Sequence, residues 1–146
     1  MLLLLFETGD GRYALDSRDV VEVVPLVKVK KIPAAPAFVQ GMMNYHGLPV
    51  PVFDFCAIEG GEPSRKAYST RIILVRYPLD GEEKLVGVIA EHVTDVIRCS
   101  EEDIRSSGIL LERHSPGVEG SPGQDEIVQF FDVRKIIPED VLRELY

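Results

Sequence analysis

The stretch "GMMNYHGLPVPVFDF", residues 41–55, holds the residue types best suited to chemistry in this chain. His46 and Asp54 are a candidate acid/base pair, because an imidazole exchanges its proton near neutral pH and a carboxylate can orient it. They are eight residues apart and would have to meet across adjacent strands. Nothing else supports catalysis: the sequence has no GxSxG elbow, no Gly-rich phosphate loop and no cysteine paired with a histidine by motif. The three histidines, His46, His92 and His114, are scattered. Asp54 reads better as a cap for the turn or short helix after its strand, with Asp132 doing the same before "VRKII". No catalytic residue, metal or cofactor is expected.

The elements that position these residues are short strands. With 146 residues, 45% of them hydrophobic and 27% charged, the chain suits one packed domain or two very small ones sharing a core. Its net charge is −8, with no basic cluster beyond the short "KVKK" at 28–31. Both nucleic acid and an anionic membrane surface need a positive field, so neither is an expected partner, and no membrane insertion is expected. The opening "MLLLLF" lacks a basic lead and breaks at Glu7, far short of the about 20 apolar residues of a membrane span. It predicts a buried strand. Cys56 and Cys99 sit in no metal-binding spacing and, with no export signal, read as reduced, buried thiols in a cytoplasmic protein.

Apolar runs bounded by Gly, Pro and Asp predict strands over 2–8, 12–16, 19–24, 44–55, 70–77, 84–91, 94–99 and 126–133. This is the spacing of an all-β barrel or sandwich. "DG" at 10–11 and 80–81 signals hairpin turns. A turn is expected at 36–40, a helix in "PEDVLREL" (138–145) with Pro138 in its first turn, and a turn-rich loop over 112–126. Gly41 and Gly47 mark places that need a positive φ or close backbone approach, and His46 is expected at the tip of a constrained turn. Pro49 and Pro51 cannot donate to a ladder, so their strand should have one unpaired side. That edge is either blunted against aggregation or borders a groove.

An internal echo organises the whole. Residues 13–24, "YALDSRDVVEVV", align without a gap on 86–97, "VGVIAEHVTDVI", at an offset of 73. Leu15 falls on Val88, Val20 on Val93, Glu22 on Asp95 and Val24 on Ile97. Each copy is followed by an aromatic-Asp strand ending, "VFDF" at 52–55 and "FFDV" at 130–133. The echo predicts two related small β-barrels that bury apolar faces against each other.

The run "IPAAPAFVQGMMNYHGLPVPVFDF" resembles the CheW family of bacterial chemotaxis adaptors, whose pattern is "P-x-F/Y-V/I-x-G" followed by "N-L-R-G-x-V/I-V-P-V/I-x-D-L". Pro36, Phe38, Val39, Gly41, Asn44, Gly47, Val50, Pro51, Val52 and Asp54 match it. The echoed segments and "FFDVRKII" fit the family's order as well. The resemblance implies one CheW-like domain, 1–146, of two SH3-like five-stranded β-barrel subdomains on a shared core. The first would span 13–68 and the second 69–132, with the N-terminal strand and a short C-terminal helix completing the packing. It further implies a non-enzymatic adaptor between the cytoplasmic hairpin of a chemoreceptor and the regulatory domain of a CheA-like histidine kinase. Carried over by position, the receptor groove would use Val20, Glu22, Asn44, His46 and Gly47. The family's "NLRG" is "NYHG" here, so a permanently charged arginine gives way to a histidine. From a different class, a small-molecule-binding regulatory β-barrel domain would instead show a dry internal pocket with convergent polar groups.

Overall fold

The computed structural model describes residues 1–8, 11–58, 63–64, 67–100, 102, 109–113 and 125–146. Among the described residues, ten strands form two five-stranded sheets. β1 (Leu2–Thr8), β2 (Gly11–Asp16), β8 (His92–Arg98), β9 (Ile109–Arg113) and β10 (Asp125–Phe130) make one, in the order β8-β1-β2-β10-β9. β3 (Val20–Pro25), β4 (Val39–Tyr45), β5 (Leu48–Asp54), β6 (Arg71–Leu79) and β7 (Glu82–Ala90) make the other, in the order β3-β6-β7-β5-β4. Helices are short: α1 (Phe55–Ile58), α2 (Val133–Ile136) and α3 (Glu139–Leu145).

The unbroken apolar runs are strands buried on both faces. Along β1, Leu3 and Leu5 join Ala14 and Val128 in a core belonging to their own sheet. Leu4 and Phe6 point the other way, into a larger core shared by both sheets. β6 repeats the arrangement, with Ile72 and Leu74 facing their sheet's own core beside Val50 and Val52. Its alternate residues Ile73, Val75 and Tyr77 enter the shared core. Because side chains alternate across a strand, "LLLL" and "IILV" serve two cores at once. Leu142 and Ile137 also lie in the shared core, each worth about 1.5–3 kcal/mol of burial. The Tyr77 hydroxyl donates to the Ile137 carbonyl at 2.8 Å, and Arg143 forms a two-pronged contact with Asp80 at 2.9 and 3.0 Å, pinning α3 to the β6–β7 hairpin.

The echo is a duplication down to its register. Leu4 pairs with Leu15 and Val96, while Ile73 pairs with Val88 and Val23, each partner displaced by the offset of the sequence echo. Both β1–β8 and β6–β3 carry a bulge at the corresponding place, where the ladder steps between Leu5 and Phe6 and between Val20 and Glu22. The parallel pairings also correspond, Phe130 with Ala14 and Val52 with Gly87. The strand order therefore maps one sheet onto the other.

Four expectations are revised. The sheets do not divide at residues 68 and 69: the strands of the second all lie between residues 20 and 90, and those of the first come from both ends of the chain. Each repeat divides between the sheets, β3, β4 and β5 joining β6 and β7 while β8, β9 and β10 join β1 and β2, and an exchange of that kind has no local signature. The expected strand over 44–55 covers the end of β4 and all of β5, broken at His46 and Gly47; the first five residues of β4, 39–43, and β9 lay outside the predicted strands. Pro138 is the residue before α3 rather than part of its first turn. Cys56 is buried, but Cys99 only partly so. Much of the loop expected over 112–126 lies outside the described residues; its ends belong to β9 and β10.

Candidate functional site

Two residues join β4 to β5. His46 (φ 51°) and Gly47 (φ 86°) both occupy the left-handed region, the signature of a type I′ turn whose twist matches its strands. The Asn44 side-chain oxygen accepts the Gly47 N–H at 2.7 Å, so the asparagine holds the turn. Gly41 has a different task. Its φ is 142°, and a Cβ there would stand 2.1 Å from the Lys30 carbonyl oxygen, so only glycine lets the incoming segment lie against β4. Pro49 and Pro51 face Asn44 and Met42 across the hairpin, while β5 pairs with β7 only over 52–54. The prolines thus occupy the half of β5 that has a single neighbour, the unpaired side read from the sequence.

β3 and β4 are the two edges of this sheet, and side chains bridge them. The Tyr45 hydroxyl donates to a Glu22 carboxylate oxygen, and the Tyr45 ring meets the His46 ring edge-on with centroids 4.5 Å apart. The hydrogen bond that it donates to Glu22 holds the Tyr45 phenol above its ordinary range, with desolvation and the carboxylate's charge adding to it. Glu22, Asn44, His46 and Gly47 are exposed, as are the apolar Val21 and Val23 of β3 and Leu48 of β5. Val20 differs from the other expected site residues: it is half-buried and packs against the shared core. Tyr45, which links Glu22 to His46, was not singled out from the sequence. Its only signal was a tyrosine where the resembling pattern has leucine.

The chemical pairing of His46 with Asp54 does not exist. They sit at opposite ends of β5, about 20 Å apart by strand rise. Asp54 is 2% exposed and wholly engaged in structure. It accepts from the Ser64 hydroxyl (2.7 Å), the Ser64 N–H (2.9 Å) and the Ala57 N–H (3.3 Å). Asp132 caps α2 through the Arg134 N–H at 3.0 Å, the structural role expected of both aspartates. Glu22's counterpart, Asp95, is exposed and accepts the N–H of its own neighbour Val96.

Elsewhere, a cleft of about 390 Å³ is lined by Glu7, Thr8, Thr70, Glu91 and His92. Thr8 also contacts the Cys56 sulfur and donates to Glu91 at 3.1 Å; burial pushes the Cys56 thiol above its usual range, away from the reactive thiolate. Among the described residues no cluster of three His, Cys, Asp or Glu could hold a metal ion, and no helix is long and apolar enough to cross a membrane.

A model of the CheW-like domain matches residues 2–141. The chain is 30% identical to the chemotaxis protein CheW of Treponema pallidum over 71% of its own length, and 27% identical to that of Rhizobium meliloti over 70%. It spans 61% and 64% of the length of those two relatives. In three dimensions it is similar to the scaffolding protein TtCheW from Thermoanaerobacter tengcongensis, with a TM-score of 0.72 and 28% identity, covering 94% of this chain and 87% of that one. With the duplicated sheets, the glycine-dependent crossing at residue 41 and a family match across nearly the whole chain, this protein belongs to the CheW-like domain family.

Proposed function

We propose that this protein is a non-enzymatic cytoplasmic adaptor of a chemosensory pathway. It couples the cytoplasmic hairpin of a chemoreceptor to the regulatory domain of a CheA-like histidine kinase. The supporting observation is the rim made by β3 and the β4–β5 turn, where Tyr45 links Glu22 to His46 and the same strand and hairpin expose Val21, Val23 and Leu48. Such a surface suits the apolar stripe of a helix, with a few polar groups at the rim to set register. Glu22, Asn44, His46 and Gly47 line this proposed contact, and Val20 supports it from beneath.

The work of such an adaptor is geometric. A body with three packed cores holds two partners in fixed relation, so that a shift in the receptor biases the kinase between its states. Affinity capture from the native organism tests this directly. A methyl-accepting receptor and a histidine kinase should co-purify, and recovery of neither under mild salt would refute the adaptor reading. His46→Arg restores the family's permanent charge and should tighten the receptor complex several-fold.

A further inference from the structure

The segment joining β3 to β4 carries positive charge that the turn itself does not hold permanently. It leaves β3 at one edge of the sheet and reaches β4 at the other, where the Lys30 N–H donates to the Met42 carbonyl (2.8 Å) and the Met42 N–H to the Lys30 carbonyl (2.9 Å). Leu26 and Val29 pack against the sheet's own core. Val27, Lys28, Lys30 and Lys31 face solvent. Three ammonium groups thus stand within four residues, and the antiparallel bridge directs Lys28 toward Asn44 and the His46 turn.

Arg71, Arg98 and Lys135 are single basic residues with no carboxylate within 4.0 Å among the described residues, whereas these three are clustered. Arg12, Arg18, Arg76, Lys84, Arg134 and Arg143 each sit within 4.0 Å of a carboxylate. Among the described residues none of the three lysines has an acidic partner. In a chain of net charge −8, an unneutralised basic strip beside an exposed apolar face is a local reversal of field.

We propose that Lys28, Lys30 and Lys31 form a basic wall of the receptor-facing surface and select a receptor helix that carries carboxylates beside its apolar stripe. The strip supplies from the sheet edge the positive charge that the family's arginine would supply from the turn. This rests on the adaptor reading above. Complementary charge of this kind fixes register and speeds encounter, and salt weakens it. Lysines on an edge also discourage strand addition, a role that any charge fills equally well.

The test replaces all three at once, Lys28→Glu, Lys30→Glu and Lys31→Glu, leaving the edge charged but reversed in sign. Titration calorimetry with the soluble cytoplasmic hairpin of a receptor from the same organism is run at low and high salt. The variant should bind at least about tenfold more weakly at low salt, and should lack the wild type's loss of affinity as salt rises. Its thermal unfolding should match the wild type; if it does not, the triple Lys→Ala variant is read instead and should lose severalfold. Affinity within twofold of wild type at both salts overturns the inference alone, as does a change confined to self-association. A wild-type chain that binds no receptor hairpin overturns the adaptor reading and this inference with it.

Discussion

The two sheets are copies in framework and differ at their rims. Strand order, the register of three ladders and the position of one bulge repeat between them. Yet the β4–β5 connection takes two residues, whereas 114–124 separate β9 from β10. Glu22 is bridged to Tyr45 across the sheet edges, while its counterpart Asp95 accepts a hydrogen bond from its neighbour's backbone. The pattern teaches where a duplicated fold is free to diverge. Register is held by double-sided burial, and a slip of one residue would exchange the contents of two cores. Rims carry no such constraint, and there one copy acquired the tight turn, the tyrosine and the lysine strip.

The largest test of this contrast compares the two aspartates that end equivalent strands. Asp54 is buried and serves three donors, two of them on Ser64, whereas Asp132 is partly exposed and paired with Arg134. Urea unfolding should show Asp54→Ala destabilised by about 3 kcal/mol, because buried donors lose their acceptor. Asp132→Ala should lose about 1 kcal/mol, the usual value of a helix cap. Equal losses would mean that the aspartates remain equivalent and that the contrast has been misread.

A smaller effect concerns Asp16, whose counterpart in the other copy is the apolar Ile89. Asp16 is held below the usual carboxylate range by its hydrogen bond from the Arg18 side chain, against the opposing cost of burial. A lowered folded value means that its contribution is complete above the unfolded carboxylate range, near pH 4, and is lost as pH falls through the folded value. Asp16→Asn should therefore be less stable by about 1 kcal/mol at neutral pH, with the two melting curves converging in acid. A gap that stays constant down to pH 2 would show that Asp16 contributes shape and not charge.

The finest test leaves stability alone. Glu22→Gln should return the Tyr45 phenol toward its ordinary range in an ultraviolet absorbance titration, with no change in melting temperature. An unmoved Tyr45 would mean that the bridge between the edges does not persist in solution, and the difference between the rims would narrow to loop length.

Much of the framework was legible in the residues. The repeat at offset 73 announced the duplication, and the Pro-Val alternation announced a half-paired strand, because proline's missing donor is a local property. The caps at Asp54 and Asp132 were equally local. The site was legible in part: Asn44, His46 and Gly47 share one hairpin and carry their own turn chemistry. Less legible were Tyr45 and the lysines, since an exposed tyrosine or lysine has the same local appearance whether or not a distant strand lies opposite. The boundary between subdomains was misplaced for the same reason. Periodicity says which way side chains point, but not which edge receives the third strand of each repeat.

By itself the sequence determined an all-β chain, its two-fold repeat, its turn at His46 and Gly47, and the family it resembles, because burial period and turn stereochemistry are properties of neighbouring residues. Only the tertiary structure decided that β3–β5 and β8–β10 join the other repeat's first two strands, that Glu22 meets Tyr45, and that the lysine segment bridges to β4 through Lys30 and Met42. Those contacts join residues distant along the chain, and their positions depend on how two twisted sheets close around a common core.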